Sequence, residues 1–260
     1  MLRPRITPCL LVQDKGLVKT VGFSGGKYVG DPINAVKIFN EKEVDELIIL
    51  DIGATTRGDG PDYRMIEHIA AESRMPLCYG GGVKTVDQVE TIVGLGVEKV
   101  AMSSAAIADP PLVAQVAEKM GSQSIVVVLD VKKRRFGGGY EVRTHNGRTK
   151  TGRSPSELAA ELEGHGVGEI VLNSIDNDGR MEGYDLSLVR EVREAVNVPM
   201  TVVGGAGSLS DVGELISEFG IIGAGAGSLF VFKGIYKAVL INYPSAAERD
   251  DLIRERLAQA

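Results

Sequence analysis

The chain alternates short apolar, β-branched runs with stretches whose apolar residues recur every three or four positions. The short runs fall at 5–12, 47–52, 76–79, 99–102, 124–131, 169–173, 199–203 and 221–225. Such runs, bounded by turn residues, predict buried strands. Between them, DPINAVKIFNEKE (31–43), VDQVETIVGLG (86–96), PSELAAELEGHG (155–166) and LSLVREVREAV (186–196) carry a helical period, each opened or preceded by Asp, Thr or Ser as an N-cap should be. Strands that each lead into a helix imply a parallel sheet, and eight of them close into a (β/α)8 barrel of the α/β class.

The pattern also repeats. LCYGGGVKTVDQVETIVGLGVEKVAMSSA (77–105) has the layout of VVGGAGSLSDVGELISEFGIIGAGAGSL (202–229), and DELIILDIGATTRGDG (45–60) that of GEIVLNSIDNDGRMEG (168–183). A steady offset of about 124 residues predicts one domain over 1–260 made of two four-stranded halves, about 1–122 and 123–260. Two segments interrupt the period. The polar, partly alternating 132–152 reads as a hairpin over the C-terminal face. Segment 13–31, with five glycines, is long for a βα loop and reads as a mobile lid.

Composition narrows the function more than the fold. A length of 260 residues suits one α/β barrel, and 43% hydrophobic with 25% charged residues is an ordinary soluble balance. A net charge of −6 without a basic stripe along its length argues against a nucleic-acid partner. Cys9 and Cys78 sit in apolar runs and read as reduced core thiols. No apolar run approaches the roughly 18 residues of a membrane span, so a cytoplasmic protein is expected. His68, His145 and His165 share no spacing that suggests a metal site or a triad, and no cofactor motif stands out.

Candidate chemistry gathers at the strand ends. Gly80-Gly81-Gly82 and Gly204-Gly205 follow strands and precede capped helices, and each is followed by a small-residue turn, Ser103-Ser104 and Gly227-Ser228. Backbone N–H groups in such turns can hold phosphate, whereas a lone glycine turn would read as close packing. The symmetric pairs favour a small molecule phosphorylated at both ends. Asp130 ends the fifth strand and would face the mouth, as a general acid or base must. Asp51 and Asp176 end strands two and six, where a loop brace is an equal alternative for Asp51. Lys19 in the lid would reach a phosphate, or else be a solvated loop lysine. At the opposite end the strands begin with Arg5, Glu46, Lys99 and Glu169, whose alternating signs could form a ring across the bottom. As a solvated ring it would add only about 0–1 kcal/mol per pair.

The runs DELIILDI, GGGVKTV, VEKVAMSSAAI, GSQSIVVVLDVK, TKTG, GEIVLNSIDNDG, GYDL and GGAGSL resemble the cyclase subunit of imidazole glycerol phosphate synthase along nearly the whole chain. The resemblance implies a twofold-repeated barrel that binds a bisphosphorylated substrate and takes ammonia from a glutaminase docked beneath it. It also implies phosphate or substrate contacts from Lys19, Asp51, Gly81, Gly82, Ser104, Asp176, Gly205, Gly227 and Ser228. Arg5, Glu46, Lys99 and Glu169 match the family's ammonia gate, and Glu98 and Gln123 fall on the partner side. Asp130 matches one of two catalytic aspartates; the other belongs at position 11, which here is Leu11, with Asp14 three residues on. Ser103 stands for a usual asparagine and Asn177 for a usual arginine. The tail FVFKGIYKAVLINYP resembles instead a paralogue found with glutaminase-like and sugar amidotransferase proteins. The expected function is a cyclase-like barrel in a glutamine amidotransferase complex that passes ammonia toward a surface-glycan sugar, its own ring closure impaired or repurposed. The alternative is a working cyclase subunit of histidine biosynthesis. A sister sugar-phosphate isomerase needs an aspartate on strand one and has no use for a gate ring, and a bare adaptor has no use for Asp130.

Overall fold

The computed structural model describes residues 3–258. Eight parallel strands form the barrel: β1 (Arg5–Gln13), β2 (Leu47–Asp51), β3 (Leu77–Gly80), β4 (Lys99–Met102), β5 (Ile125–Lys133), β6 (Glu169–Ser174), β7 (Met200–Val203) and β8 (Gly223–Ala226). Each pairs in parallel with the next, and β8 returns to β1 through Arg5↔Gly223, which closes the ring. All eight expected strands are present, displaced by a few residues at their ends.

Strand alternation sorts the apolar residues into two cores. On β1, Ile6, Leu10 and Val12 face outward into the layer shared with the helices. Cys9 faces inward, where it meets Ile48, Cys78, Ala101, Val126, Val128, Val171 and Val203, with Leu11 and Leu50 packed above. The barrel interior is therefore mostly aliphatic, with the buried hydroxyls of Thr7 and Thr201 on the same inward-facing sides of β1 and β7. The outer helices start where the caps predict. Asp31 accepts from the Asn34 N–H at 2.9 Å, and Ser208 and Asp211 complete a capping box on Leu209–Phe219.

One segment differs from expectation. The expected lid loop, 13–31, is a hairpin of strands Gly16–Val21 and Ser24–Gly30, the first pairing antiparallel with β1 through Leu11↔Val18 and Gln13↔Gly16. The run LVKTV is rich enough in β-branched residues to continue the sheet, and Gly22 (φ 57°) turns it back. The tail after β8 forms a short helix, Ser228–Val231, and a two-stranded hairpin, Phe232–Lys233 with Ala238–Val239, before helix Ala246–Leu257. The expected hairpin at 132–152 is present: β5 runs on to Lys133 and pairs with Tyr140–Thr144 (Asp130↔Arg143), which pairs in turn with Thr149–Lys150. Among the described residues no helix is long and apolar enough to cross a membrane.

Candidate functional site

The C-terminal ends of the strands enclose a cavity of about 680 Å³. Leu11, Lys19, Asp51, Gly81, Gly82, Ser103, Ser104, Asp130, Gly205, Gly227 and Ser228 line it, so all but one of the residues expected at the mouth come together there. The exception is Asp176. Its carboxylate accepts from the Lys133 N–H at 2.8 Å and so braces the hairpin after β5. Asp178, two residues on, lines the cavity in its place. The turn after β6 directs this second aspartate inward, where it accepts from Thr20 Oγ1 at 2.8 Å and the Phe23 N–H at 3.3 Å. The signal in the sequence is the pair of acids in IDNDG; strand position favours Asp176, whereas the turn brings Asp178 to the cavity. Asn177 likewise braces its loop, donating to the Gly183 carbonyl at 3.0 Å.

The two long edges of the cavity differ in polarity. Across the β5–β6 seam, Asp130 sits in register with Asn173, whose Nδ2 donates to Asp130 Oδ1 at 3.0 Å. Across the β1–β2 seam the matching partners are Leu11 and Leu50. One edge is thus a hydrogen-bonded acid and the other a pair of leucines. Asp14 does not make up for Leu11, because its carboxylate is ion-paired to Arg57 at 3.2 Å. Asp51 does both things expected of it: it lines the cavity and also accepts from the Gly53 and Ala54 N–H groups at 2.9 and 3.1 Å.

Burial raises the Asp130 carboxyl to about 7; Asn173 opposes the shift and Asp178 adds to it. Burial also raises Asp178 against the pull of Thr20, Phe23 and Lys19. Lys19 is no solvated loop lysine. It is buried on the hairpin strand, its Nζ donates to the Cys9 carbonyl at 2.7 Å, and a Cβ on Gly227 would lie 2.2 Å from that Nζ. Burial lowers its pKa, and Asp178 is among the groups opposing the fall. One N–H of the ammonium is engaged and the Gly227 turn lies beside it, so this cation is fixed at one end of the cavity.

The shift on Asp130 carries a sign. Its folded pKa lies above the unfolded value of about 3.9, so the charged form costs stability as pH rises from about 4 to 7, and that cost persists above 7. Asp130→Asn keeps an acceptor for Asn173 without the charge. Its melting temperature should exceed that of the wild type at pH 8, and the gap should close at pH 4. A gap equal at both pH values would mean that the carboxyl is not held neutral by its site.

The close approach of backbones already requires glycine in both turns. A Cβ at Gly81 (φ 134°) would lie 2.6 Å from the Asp51 carbonyl oxygen, and one at Gly205 (φ 122°) 2.0 Å from that of Gly183. His145 lines the cavity from the hairpin turn after Tyr140–Thr144, and its neighbour Asn146 reaches across the mouth to donate to the Ile52 carbonyl at 2.7 Å. Sequence reading attached no role to either.

At the far end the four strand-first charges meet. Arg5 binds Glu46 at 2.8 Å and Glu169 at 2.6 Å, and Lys99 binds the same two at 2.6 and 2.7 Å. Thr201 Oγ1 adds a bond to Glu169 at 2.6 Å. The ring is not solvated as expected: Glu46 and Glu169 are 3% and 6% exposed. Burial alone would raise the pKa of Glu169, but Arg5 and Lys99 outweigh it and hold the group below the usual range. Glu98 and Gln123 lie on the same end, just before β4 and β5.

The chain has counterparts among known proteins. The family description "Histidine biosynthesis protein" matches residues 5–237. A Vibrio vulnificus (strain YJ016) protein, provisionally named imidazole glycerol phosphate synthase subunit hisF3, is 59% identical over 96% of both chains. A Pseudomonas aeruginosa protein provisionally named hisF2 is 51% identical over 96% of this chain and 99% of its own. The imidazole glycerol phosphate synthase subunit HisF of Clostridium botulinum (strain Okra) is 40% identical over 94% of this chain and 96% of its own. A match of this depth and span, on a barrel with this mouth and this ring, places the chain in the histidine biosynthesis protein family as a HisF-type subunit of the imidazole glycerol phosphate synthase kind, standing with its paralogues.

Proposed function

We propose that this barrel is the synthase-side subunit of a glutaminase-coupled complex, and that it admits ammonia at the charged ring and passes it up the mostly aliphatic interior to the mouth. The observation that carries this reading is the ring itself. Four charges satisfy one another around the bottom opening, directly beneath an interior of Cys9, Ile48, Ala101, Val126 and Val171 that offers a neutral molecule no competing charge. A HisH-like glutaminase would dock on that end, near Glu98 and Gln123. With Leu11 and Leu50 on one edge, ring closure by paired carboxylates is disabled, and ammonia delivered at the mouth serves amidation of another molecule, a surface-glycan sugar by resemblance of the tail.

A second reading has its own support. Asp130 near 7, buried Lys19 and Asp178 are the groups a cyclase would use to move protons and hold a phosphate, and the named relatives are synthase subunits. An ammonia-dependent cyclisation assay on the purified chain separates the two. The first reading expects turnover at least about 10² below that of a two-aspartate synthase, together with stimulation of a cognate glutaminase. Full turnover would hand the assignment to the second.

Both readings place a doubly phosphorylated molecule across the cavity, with Gly82–Ser104 at one end and Gly205–Ser228, beside Lys19, at the other. Crystals grown with sulfate should show density at both turns. Ordered turns without density at high sulfate would end the bisphosphate assignment.

A further inference from the structure

The mouth end of the barrel carries more than a cavity. Among the described residues, eleven large apolar side chains are exposed, and seven of them sit on the three hairpins that rise from β1, β5 and β8. Val21 and Tyr28 belong to the first hairpin. Phe136, 90% exposed, tips the second. Ile235 and Tyr236, 88% and 90% exposed, tip the third, whose second strand and exit add Val239 and Leu240. The strands β1 and β8 are neighbours and β5 lies opposite, so these side chains flank the opening from both sides. Lys27 of the first hairpin lies 5.3 Å over the Phe232 ring of the third, which joins two of the three into one surface.

The second and third hairpins are basic, a local run in a chain that carries no basic stripe along its whole length. Residues 132–153 hold eight Lys and Arg against the single acid Glu141; Lys133, Arg143 and Arg153 are ion-paired to Asp185, Glu141 and Glu161, and among the described residues the other five have no ion pair to an acid. Lys233 and Lys237 flank Ile235 and Tyr236. Apolar tips flanked by unpaired cations are the make-up of an interaction surface, with aromatic anchors at its centre and steering charge beside them.

We propose that this face is a second docking surface, for a soluble protein with an acidic, apolar-centred patch that covers the mouth and receives what leaves it. The inference rests on the reading of the barrel as a conduit and adds a partner at the exit to the one at the entrance. A second copy of the chain meeting face to face would bring two basic hairpins together. A bilayer would meet the free edges of strands Ser24–Gly30 and Ala238–Val239, each paired on one side only. Unpaired backbone groups are costly in lipid, whereas a protein can pair or cover them. An acidic protein is the occupant that fits charge and edges together.

The test uses the full chain with its glutaminase. Photo-crosslinking benzoylphenylalanine is placed at Phe136 or Tyr236 in the native cells, with Gln123 as the control on the far end. One and the same protein should be captured from both mouth positions, and a different one, the glutaminase, from Gln123. That mouth-bound protein, purified, should bind the wild-type chain in a salt-sensitive way and bind Phe136→Ser/Tyr236→Ser at least about tenfold more weakly, while the variant stimulates the glutaminase as before. Capture of a second copy, of no protein, or of different proteins at the two positions overturns the proposal. So does unchanged affinity of the variant, or sedimentation of the chain with phosphatidylglycerol vesicles that the variant loses. Loss of glutaminase stimulation in the wild type would instead sink the conduit reading and leave the docking result standing.

Discussion

Lys99→Ala should melt roughly 6–10 °C below the wild type at pH 7 and, paired with the glutaminase, should release glutamine's ammonia without delivering it. The stability loss follows from burial. Glu46 and Glu169 are nearly inaccessible and share two cations. Removing Lys99 leaves two carboxylates on Arg5 alone, and stranding a buried charge costs about 3–5 kcal/mol. The cations keep some exposure, so the lower end applies, and about 3 kcal/mol in a domain of this size is worth roughly 6–10 °C. The pH dependence has a definite sign. Glu169 is held below its usual range, so the ring's contribution is present above the unfolded glutamate pKa of about 4.3 and fades as pH falls through the lower folded value. The gap between wild type and variant should therefore hold from pH 5 to 8 and narrow in stronger acid. A melting shift within 2 °C would show that water screens the ring after all. Full coupling in the variant would remove the ring from the ammonia path.

Leu11→Asp should fold and, if the rest of the cavity still fits a synthase substrate, raise cyclisation by about 10² to 10⁴. Position 11 is half-buried at the end of β1, beside Leu50 and facing Val18 of the hairpin. A carboxylate there loses some apolar contact but opens onto the cavity, so its cost should stay below the 3–5 kcal/mol of a charge stranded in a core. Calorimetry checks the fold, and the ammonia-dependent assay checks the chemistry. A gain over an inactive wild type would identify a barrel disarmed at one residue. No gain, with glutaminase stimulation intact, would show that Ser103 or other cavity residues also close the pocket to that substrate. A wild type that already cyclises well, indifferent to the substitution, would show that Asp130 works without a carboxylate at position 11.

The barrel was legible because its signals are local: β-branched runs, N-caps such as Asp31 and Ser208, and glycine turns at fixed offsets each act over a few residues. Site residues that belong to strand ends were legible for the same reason, Asp130 and the four ring charges among them. Residues placed by a turn were not. Asp176 and Asp178 differ by two positions, and which one faces inward depends on how the loop packs against the hairpin after β1. The hairpin within 13–31 was not legible because five glycines surround the β-branched run LVKTV that pairs with β1. Ring burial also lay beyond the sequence, since a charge that opens a strand is solvated unless its three neighbours close over it.

The bond from Asn146 to the Ile52 carbonyl spans the mouth, tying the turn beyond β5 to the loop after β2. On the conduit reading this bond would act as a latch across the opening, and its strength would set how often the bridge is broken. A hydrogen bond contributes about 0.5–1.5 kcal/mol net, so on its own it would leave the bridge broken roughly 7–30% of the time. A latch with that duty cycle filters large solutes and slows their exit. It would not hold back a molecule as small and quick as ammonia, so on the conduit reading this bond alone would let the delivered nitrogen leak.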